Sequence, residues 1–437
     1  MDTLLKYTSY VLVTFIFFRI LYSFICILSP KIQENTLSWN LPLNNVSPPA
    51  LFHYLNNQFT RFRNHPFVYI SSVFIANRII IAIIATLAFS FLEGKPISVL
   101  DNFDAIWLKW DSRHYLHIAE FGYPTSGDQR AIIAFYPMYP ALIRLAATIV
   151  NDYFLAAIIV SSVCLWMSCI MLYRLMNFEF GNDESSKNSV KYLLLFPLSY
   201  FGSMAYAEST FLLFSICSFY YMRRGMWFWA GMFGLFAALT RTQGILLFGP
   251  MVYELIRQNL EQLRKGQAIS KTMLISRACT ALLIPLGIGL YLGVNKYVHD
   301  DWFAFLFFQK QNWGQEFMLF SDNIVNIANR IDDGNWPMAI GTWLPSITVF
   351  IFCLVIITIS TSILPNAYTI YSLAFLIISY SPSWLLSGAR YMFVLFPIYM
   401  VLAKVLHKRK AISHHIDMAL TCFLVLILFA FIKYNVY

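Results

Sequence analysis

The chain has 437 residues, 59% of them hydrophobic and only 12% charged, with 40 Phe and 26 Tyr. A soluble fold could not bury that much apolar surface, so a water-soluble enzyme is excluded and a multi-pass helical membrane protein is expected. The formal charge of +9 does not point to nucleic acid, because basic residues fall in short connections such as HKRK at 407–410, where they set membrane orientation.

In chain order, the first apolar run, 7–28, is longer than a typical signal-peptide core, carries Arg19 and lacks a small-x-small cleavage site. It reads as a retained anchor. Arg61 and Arg63 place 29–66 in the cytoplasm, so 1–66 reads as an anchor helix and loop preceding a transmembrane domain, 67–437. The crossing at 67–92 delivers a long outer loop, 93–152, holding WDSRHYLHIAEFGY (110–123) and AFYPMYP (134–140). Within it, 133–150 reads as an interfacial helix: prolines sit near its start and Arg144 in its middle.

A crossing at 153–177 leads to GNDESSKNSVK (181–191) inside. AYAES (205–209) is then outside, MRRG (222–225) inside, TRTQG (240–244) outside, and 254–271, with Arg257, Arg264, Lys265 and Lys271, inside. The runs between these points are only about 14–16 residues, short for a full crossing, which predicts a cavity open to the outer face. A crossing at 272–294 puts the polar segment 298–337 outside. Next, 363–366 lies inside and SPSWLLSGARY (381–391) outside, and the run 391–406 leads back to HKRK. The expected fold is all-α, a polytopic bundle of roughly 10–12 transmembrane helices. All seven cysteines lie in apolar runs and read as small buried hydrophobes, with neither disulfide nor metal spacing.

The outer segments collect Asp101, Asp104, Asp111, Arg113, His114, His117, Glu120, Glu208, Arg241, Gln243, His299, Asp300, Asp301 and Arg390. A transporter normally holds its polar site near the bilayer midplane; here the polar groups gather at one face. Each also has a plainer reading. Asp111 could cap a helix that ends at Gly122. His114 and His117 have metal-ligand spacing but no assured third ligand, so no metal is expected. Asp101 and Asp104 suit a solvated loop, and Tyr136 and Tyr139 read as interfacial aromatics. Arg241 and Arg390 could simply snorkel, although guanidinium is also the preferred ligand for phosphate. A carboxylate at Asp111 with converging arginines would suit group transfer from a phospholipid carrier.

WDSRHYLHIAEFGY, AFYPMYP, FPLSYFGSMAYAES (196–209) and LTRTQG (239–244) resemble, in order, the motifs of PIG-V-type mannosyltransferases. This is the GPI mannosyltransferase II family with its prokaryotic relatives. QKQNWGQE (309–316) and ARYMFVLFP (389–397) are similar to motifs of the prokaryotic branch, and the resemblance spans about 67–400. It implies a GT-C glycosyltransferase with its catalytic loop at the outer or lumenal face, taking a sugar from a polyprenyl or dolichyl phosphate. The family's acidic residue in the first large outer loop corresponds to Asp111. DNFD (101–104) and the tyrosine of FYPMYP depart from the pattern and leave the acceptor and the sugar open.

The expected reaction is inverting mannosyl transfer to a glycolipid or glycan hydroxyl. Asp111 would be the base, and Arg241 and Arg390 would receive the departing phosphate. Arg113, His114, Glu208, Gln243 and Tyr391 are candidate substrate contacts, with Glu208 orienting a sugar hydroxyl. No cofactor is called for beyond the lipid-linked donor. Expected partners are membrane lipids, donor and acceptor, with a small membrane subunit left open. The location would be the cytoplasmic membrane in a prokaryote or the endoplasmic reticulum in a eukaryote. The alternatives are a GT-C transferase for another sugar or a protein acceptor, and a lipid or solute transporter.

Overall fold

The computed structural model describes residues 65–99, 102–331 and 333–434. The expected anchor at 7–28, with Cys26, Arg61, Arg63 and Asp101, lies outside them. The described residues are helical, with no β-strand and one isolated antiparallel bridge between Phe317 and Pro382.

Pro66 opens α1 (Pro66–Glu93), where a missing N–H costs nothing, and Gly94 closes it at φ 62°. Midway along this apolar helix, Arg78 Nη1 donates to the Ser199 carbonyl at 3.1 Å and to Ser203 Oγ at 2.8 Å. A guanidinium at that depth needs such partners, and in return it pins the Ser199–Ser203 turn. An irregular turn is tolerated inside a membrane only where protein satisfies its polar groups.

The outer loop is itself structured. It holds α2 (Phe103–Trp107), α3 (Asp111–Phe121), a 3-10 turn (Asp128–Ala134) and α4 (Met138–Val150). At 13 residues α4 is about 20 Å long, short of a hydrocarbon core of about 30 Å, and it bends by 103° from the turn before it. Arg144 donates from Nε to the Ala119 carbonyl at 2.6 Å and from Nη2 to that of Glu120 at 3.2 Å. Those are the open carbonyls at the end of α3. Leu145 and Ile149 stay exposed on α4.

α5 (Tyr153–Phe180) begins where the Asp152 carboxylate accepts from the Leu155 N–H at 2.7 Å, and ends at Gly181 with φ 60°. α6 (Asp183–Leu195), α7 (Glu208–Arg223), α8 (Trp227–Thr240) and α9 (Phe248–Arg264) follow. With 16 and 14 residues, α7 and α8 are the short runs anticipated, and α7 is buried along most of its length. Its neighbours take the place of lipid. α10 (Lys271–Ala281) and α11 (Leu283–His299) form one 29-residue span. This span meets α8 so closely that a Cβ on Gly231 would lie 2.2 Å from the Thr280 carbonyl oxygen. Only glycine allows that approach.

α12 (Ala304–Trp313) and α13 (Phe320–Ile331) occupy the long polar segment. α14 (Trp336–Met338) runs through a π-helical turn into α15 (Leu344–Ser360), followed by α16 (Asn366–Ser379), α17 (Gly388–Met392), α18 (Pro397–Leu406) and α19 (Lys410–Tyr434). Five spans among the described residues are long and apolar enough to cross a membrane: α1, α5, α10–α11, α14–α15 and α19, or six if the bent pair ending in α4 counts as one. The shorter apolar helices α8, α16 and α18 complete the polytopic bundle. Cys164, Cys169, Cys217 and Cys353 are free and buried as expected, whereas Cys279 is exposed, because α10 buries only Ala281.

Polar groups sort to two ends of the bundle. At one, Arg223 reaches Glu179 at 2.6 Å and Glu254 at 2.8 Å, Arg257 reaches Glu254 at 2.9 Å, and the Tyr368 hydroxyl donates to Glu179 at 2.7 Å. Lys191 pairs across a long stretch of sequence with Asp417 at 2.8 Å. These groups lie in or beside the segments that the charge pattern assigns to the cytoplasm. Cysteine introduced at Lys265 or at Ser126, both exposed, is therefore expected to react with an impermeant thiol reagent from opposite sides of the membrane, in a Cys279→Ser background. Labelling of both from one side would contradict the arrangement.

Candidate active site

Trp110 carries the chain into the site with φ 51°, a left-handed conformation that costs a bulky residue on the order of 1–3 kcal/mol. Its surroundings hold it there. The Tyr206 hydroxyl donates to the Lys109 carbonyl at 3.1 Å, and the Lys109 ammonium lies 4.7 Å from the centre of the Phe431 ring. The kink makes Asp111 the first residue of α3 instead of its cap. The capping reading of Asp111 therefore does not hold, and its carboxylate is committed elsewhere: Arg390 Nη2 donates to Oδ2 at 2.9 Å.

Glu208, the first residue of α7 and only 1% exposed, lies behind this pair. Its Oε1 accepts from Arg241 Nη1 at 2.6 Å and stands 3.2 Å from Arg390 Nε, at ion-pair distance. Arg241 also donates to Gln243 Oε1 at 3.4 Å and lies over the Tyr391 ring at 4.6 Å. Arg390 sits against the faces of Tyr206 at 4.9 Å and Phe201 at 5.3 Å. Two carboxylates and two guanidiniums thus balance in charge, packed among aromatic rings that favour cations.

A cavity of about 410 Å³ opens onto this quartet, lined by Asp111, Arg241 and Arg390 together with Gln243 and Tyr391. Part of its wall is a strap, Gln315–Phe317, tied to the segment before α17. The Met318 N–H donates to the Ser381 carbonyl at 2.8 Å, Ser383 N–H to that of Glu316 at 2.9 Å, and Gln315 Nε2 to that of Trp384 at 3.0 Å. The segments carrying TRTQG, SGARY and WDSRHY meet here, as the loop charges require.

Not every candidate is brought in. Glu208 does not line the cavity; it pairs with the two arginines behind the wall. Arg113 is exposed and does not line the cavity, because two residues along a helix lead away from the Asp111 face. His114 is one layer back, its ring 4.9 Å from Phe135 and edge-on to Trp313 at 6.5 Å, and both of those rings line the cavity. Burial pulls its pKa below the usual histidine value against an opposing pull from Asp111, which favours the neutral imidazole. Among the described residues no three His, Cys, Asp or Glu side chains gather as metal ligands.

Other lining residues were not singled out by sequence reasoning. Tyr136, read as an interfacial aromatic, is 5% exposed and lines the cavity with Thr242 and Trp313. Only the QKQNWGQE motif hinted at Trp313, and nothing in the pattern separates Tyr136 from Tyr139. The latter is a core residue bonded to Ser161 Oγ at 2.8 Å.

Residues 86–340, more than half of the chain, match the mannosyltransferase (PIG-V) family. The chain belongs to that family. The matched region of this PIG-V family member holds Asp111, Glu208 and Arg241, while Arg390 lies beyond it. GPI mannosyltransferase 2 of Drosophila pseudoobscura pseudoobscura is 29% identical over 196 residues, 41% of this chain and 41% of the relative. The chain thus spans about two-fifths of the length of the curated relative it matches. Among solved structures, ArnT from Cupriavidus metallidurans bound to undecaprenyl phosphate aligns with a TM-score of 0.48 at 15% identity, over 79% of this chain and 62% of that one. Its apo form aligns at 0.49 and 14%, over 79% and 61%.

Glu208→Ala would leave two buried guanidiniums without their shared counter-charge, a loss of about 3–5 kcal/mol by the usual scale for a broken buried pair. A thermal unfolding midpoint clearly below wild type is expected, with Glu208→Gln intermediate because it keeps the volume. An unchanged midpoint for the Ala variant would show that Glu208 does not anchor the arginines.

Proposed function

We propose that the protein is a membrane mannosyltransferase of the GT-C class, moving mannose from a polyprenyl or dolichyl phosphate to a hydroxyl of a glycolipid or glycan. The reaction takes place at the outer or lumenal face, across the cytoplasmic membrane of a prokaryote or the endoplasmic reticulum membrane of a eukaryote. The observation that carries this reading is the Asp111–Arg390 contact in a cavity also lined by Arg241. It sets a carboxylate able to accept a proton beside two fixed guanidiniums able to accept a phosphate.

The acceptor oxygen forms a bond to the anomeric carbon as the bond from that carbon to the carrier phosphate oxygen breaks. The electron pair leaves with the phosphate, and the acceptor proton passes to the Asp111 carboxylate. Arg390 and Arg241 stabilise the charge that develops on the departing phosphate, an effect often worth a few kcal/mol when the donors are fixed in advance. In the resting protein Arg390 is held by Asp111. An arriving phosphate competes for that guanidinium, so donor binding releases the carboxylate for its role as base. Glu208, bound behind the arginines, keeps them in place during the exchange.

Transfer from radiolabelled polyprenyl-phosphate-mannose in membranes tests the assignment. Asp111→Asn keeps the volume and removes the base, so at least a hundredfold loss of turnover is expected with near-normal protein levels. Arg390→Lys offers a point charge where a planar fork is needed, and it is expected to weaken donor use and lower the rate about a hundredfold. Wild-type turnover in the Asn variant would remove Asp111 from the chemistry.

A further inference from the structure

Tyr136 and Thr242 stand on the cavity wall with Asp111, Arg241 and Arg390 but carry no charge. Thr242 Oγ1 donates to the Tyr136 phenolic oxygen at 3.0 Å. A phenol that accepts through its oxygen keeps its own O–H to donate. The Tyr136 ring stacks on Tyr291, with centroids 3.8 Å apart and planes inclined by 24°. The backbone leading into it is clamped twice, since Tyr291 OH donates to the Ile133 carbonyl at 2.7 Å and Tyr123 OH to that of Phe135 at 2.6 Å. Thr242 is fixed from the other side. The Gly244 N–H donates to the Arg241 carbonyl at 2.9 Å, and the turn lies so close to α8 that a Cβ on Gly244 would be 2.3 Å from the Ala238 nitrogen.

An aromatic that only fills space needs no hydroxyl at a cavity surface. A phenol locked by its neighbours and facing a cavity is instead the arrangement that reads a ligand hydroxyl, because the geometry is set before binding. The ligand follows from the shared wall. Arg241, Thr242 and Tyr136 line one cavity, so the groups esterified to a phosphate held by Arg241 share that space with the Thr242–Tyr136 pair. In a polyprenyl glycosyl phosphate those groups are the lipid and the sugar, and only the sugar carries hydroxyls for a phenol to read.

We propose that the Tyr136 phenol, held by Thr242 and Tyr291, is a specificity contact that donates a hydrogen bond to a hydroxyl of the sugar carried on the lipid phosphate. The proposal rests on the reading of the cavity as a donor site. Its test measures binding by the full-length protein in nanodiscs, separately from transfer. The probes are polyprenyl-phosphate-mannose, its monodeoxy analogues and bare polyprenyl phosphate.

Tyr136→Phe is expected to weaken binding of the mannosyl lipid about three- to tenfold, the range for one lost hydrogen bond, and to leave binding of bare polyprenyl phosphate unchanged. One monodeoxy analogue is expected to bind wild type and the Phe variant equally, which identifies the hydroxyl that is read. Thr242→Val keeps the phenol but frees its orientation, and its loss is expected to be smaller and equally sugar-dependent. Equal losses for sugar-bearing and bare lipid, or no loss for either, overturn the proposal. A wild type that binds with this preference yet transfers no mannose would sink the transferase reading and leave the Tyr136 contact standing.

Discussion

Charge buried in a membrane protein has to find a counter-charge, and here that constraint converges on Glu208. One carboxylate with 1% exposure holds Arg241 at 2.6 Å and Arg390 at 3.2 Å, and so joins the start of α7, the end of α8 and α17. None of these groups could stand alone so deeply buried, because the cost of an unpaired buried ion is several kcal/mol. The meeting of three distant segments is therefore obligatory. Asp111 then completes the set through Arg390, which draws the outer loop onto the bundle.

The same helix is fixed at its other end. α7 starts at Glu208 and finishes at Arg223, whose guanidinium is held by Glu179 and Glu254. A helix of 16 residues, about 24 Å, is thus a buried strut between two ion clusters, and its short length matters less because protein surrounds it. Arg78 adds a third restraint by gripping the Ser199–Ser203 turn just before Tyr206 and Glu208. Rigidity of this kind suits a site in which charge on a departing phosphate must be met by groups already in place.

Much of this was legible in the sequence, because charge in an apolar chain is scarce and its sidedness is strongly constrained. Loop charges alone place Asp111, Arg241 and Arg390 at one end of the bundle, and short apolar runs announce the cavity between them. What stayed hidden depends on three-dimensional detail that patterns do not encode. A capping position and a kinked first turn look identical in sequence, so only the left-handed Trp110 shows that Asp111 is released from capping. Glu208 reads as another outer polar residue until its burial reveals its pairing with both arginines. Tyr136 and Tyr139 share one motif, yet the turn between Asp128–Ala134 and α4 sends one to the cavity and the other to the core.

The central claim is that Arg241 and Arg390, braced by Glu208, form the place where a lipid phosphate is received. The most direct measurement is an experimental structure of the full-length protein in a lipid nanodisc with bound polyprenyl phosphate. The account predicts phosphate density within hydrogen-bond distance of both guanidiniums, with Asp111 moved away from Arg390 and Glu208 still paired to both arginines. A phosphate held elsewhere, with the Asp111–Arg390 contact intact, would contradict it.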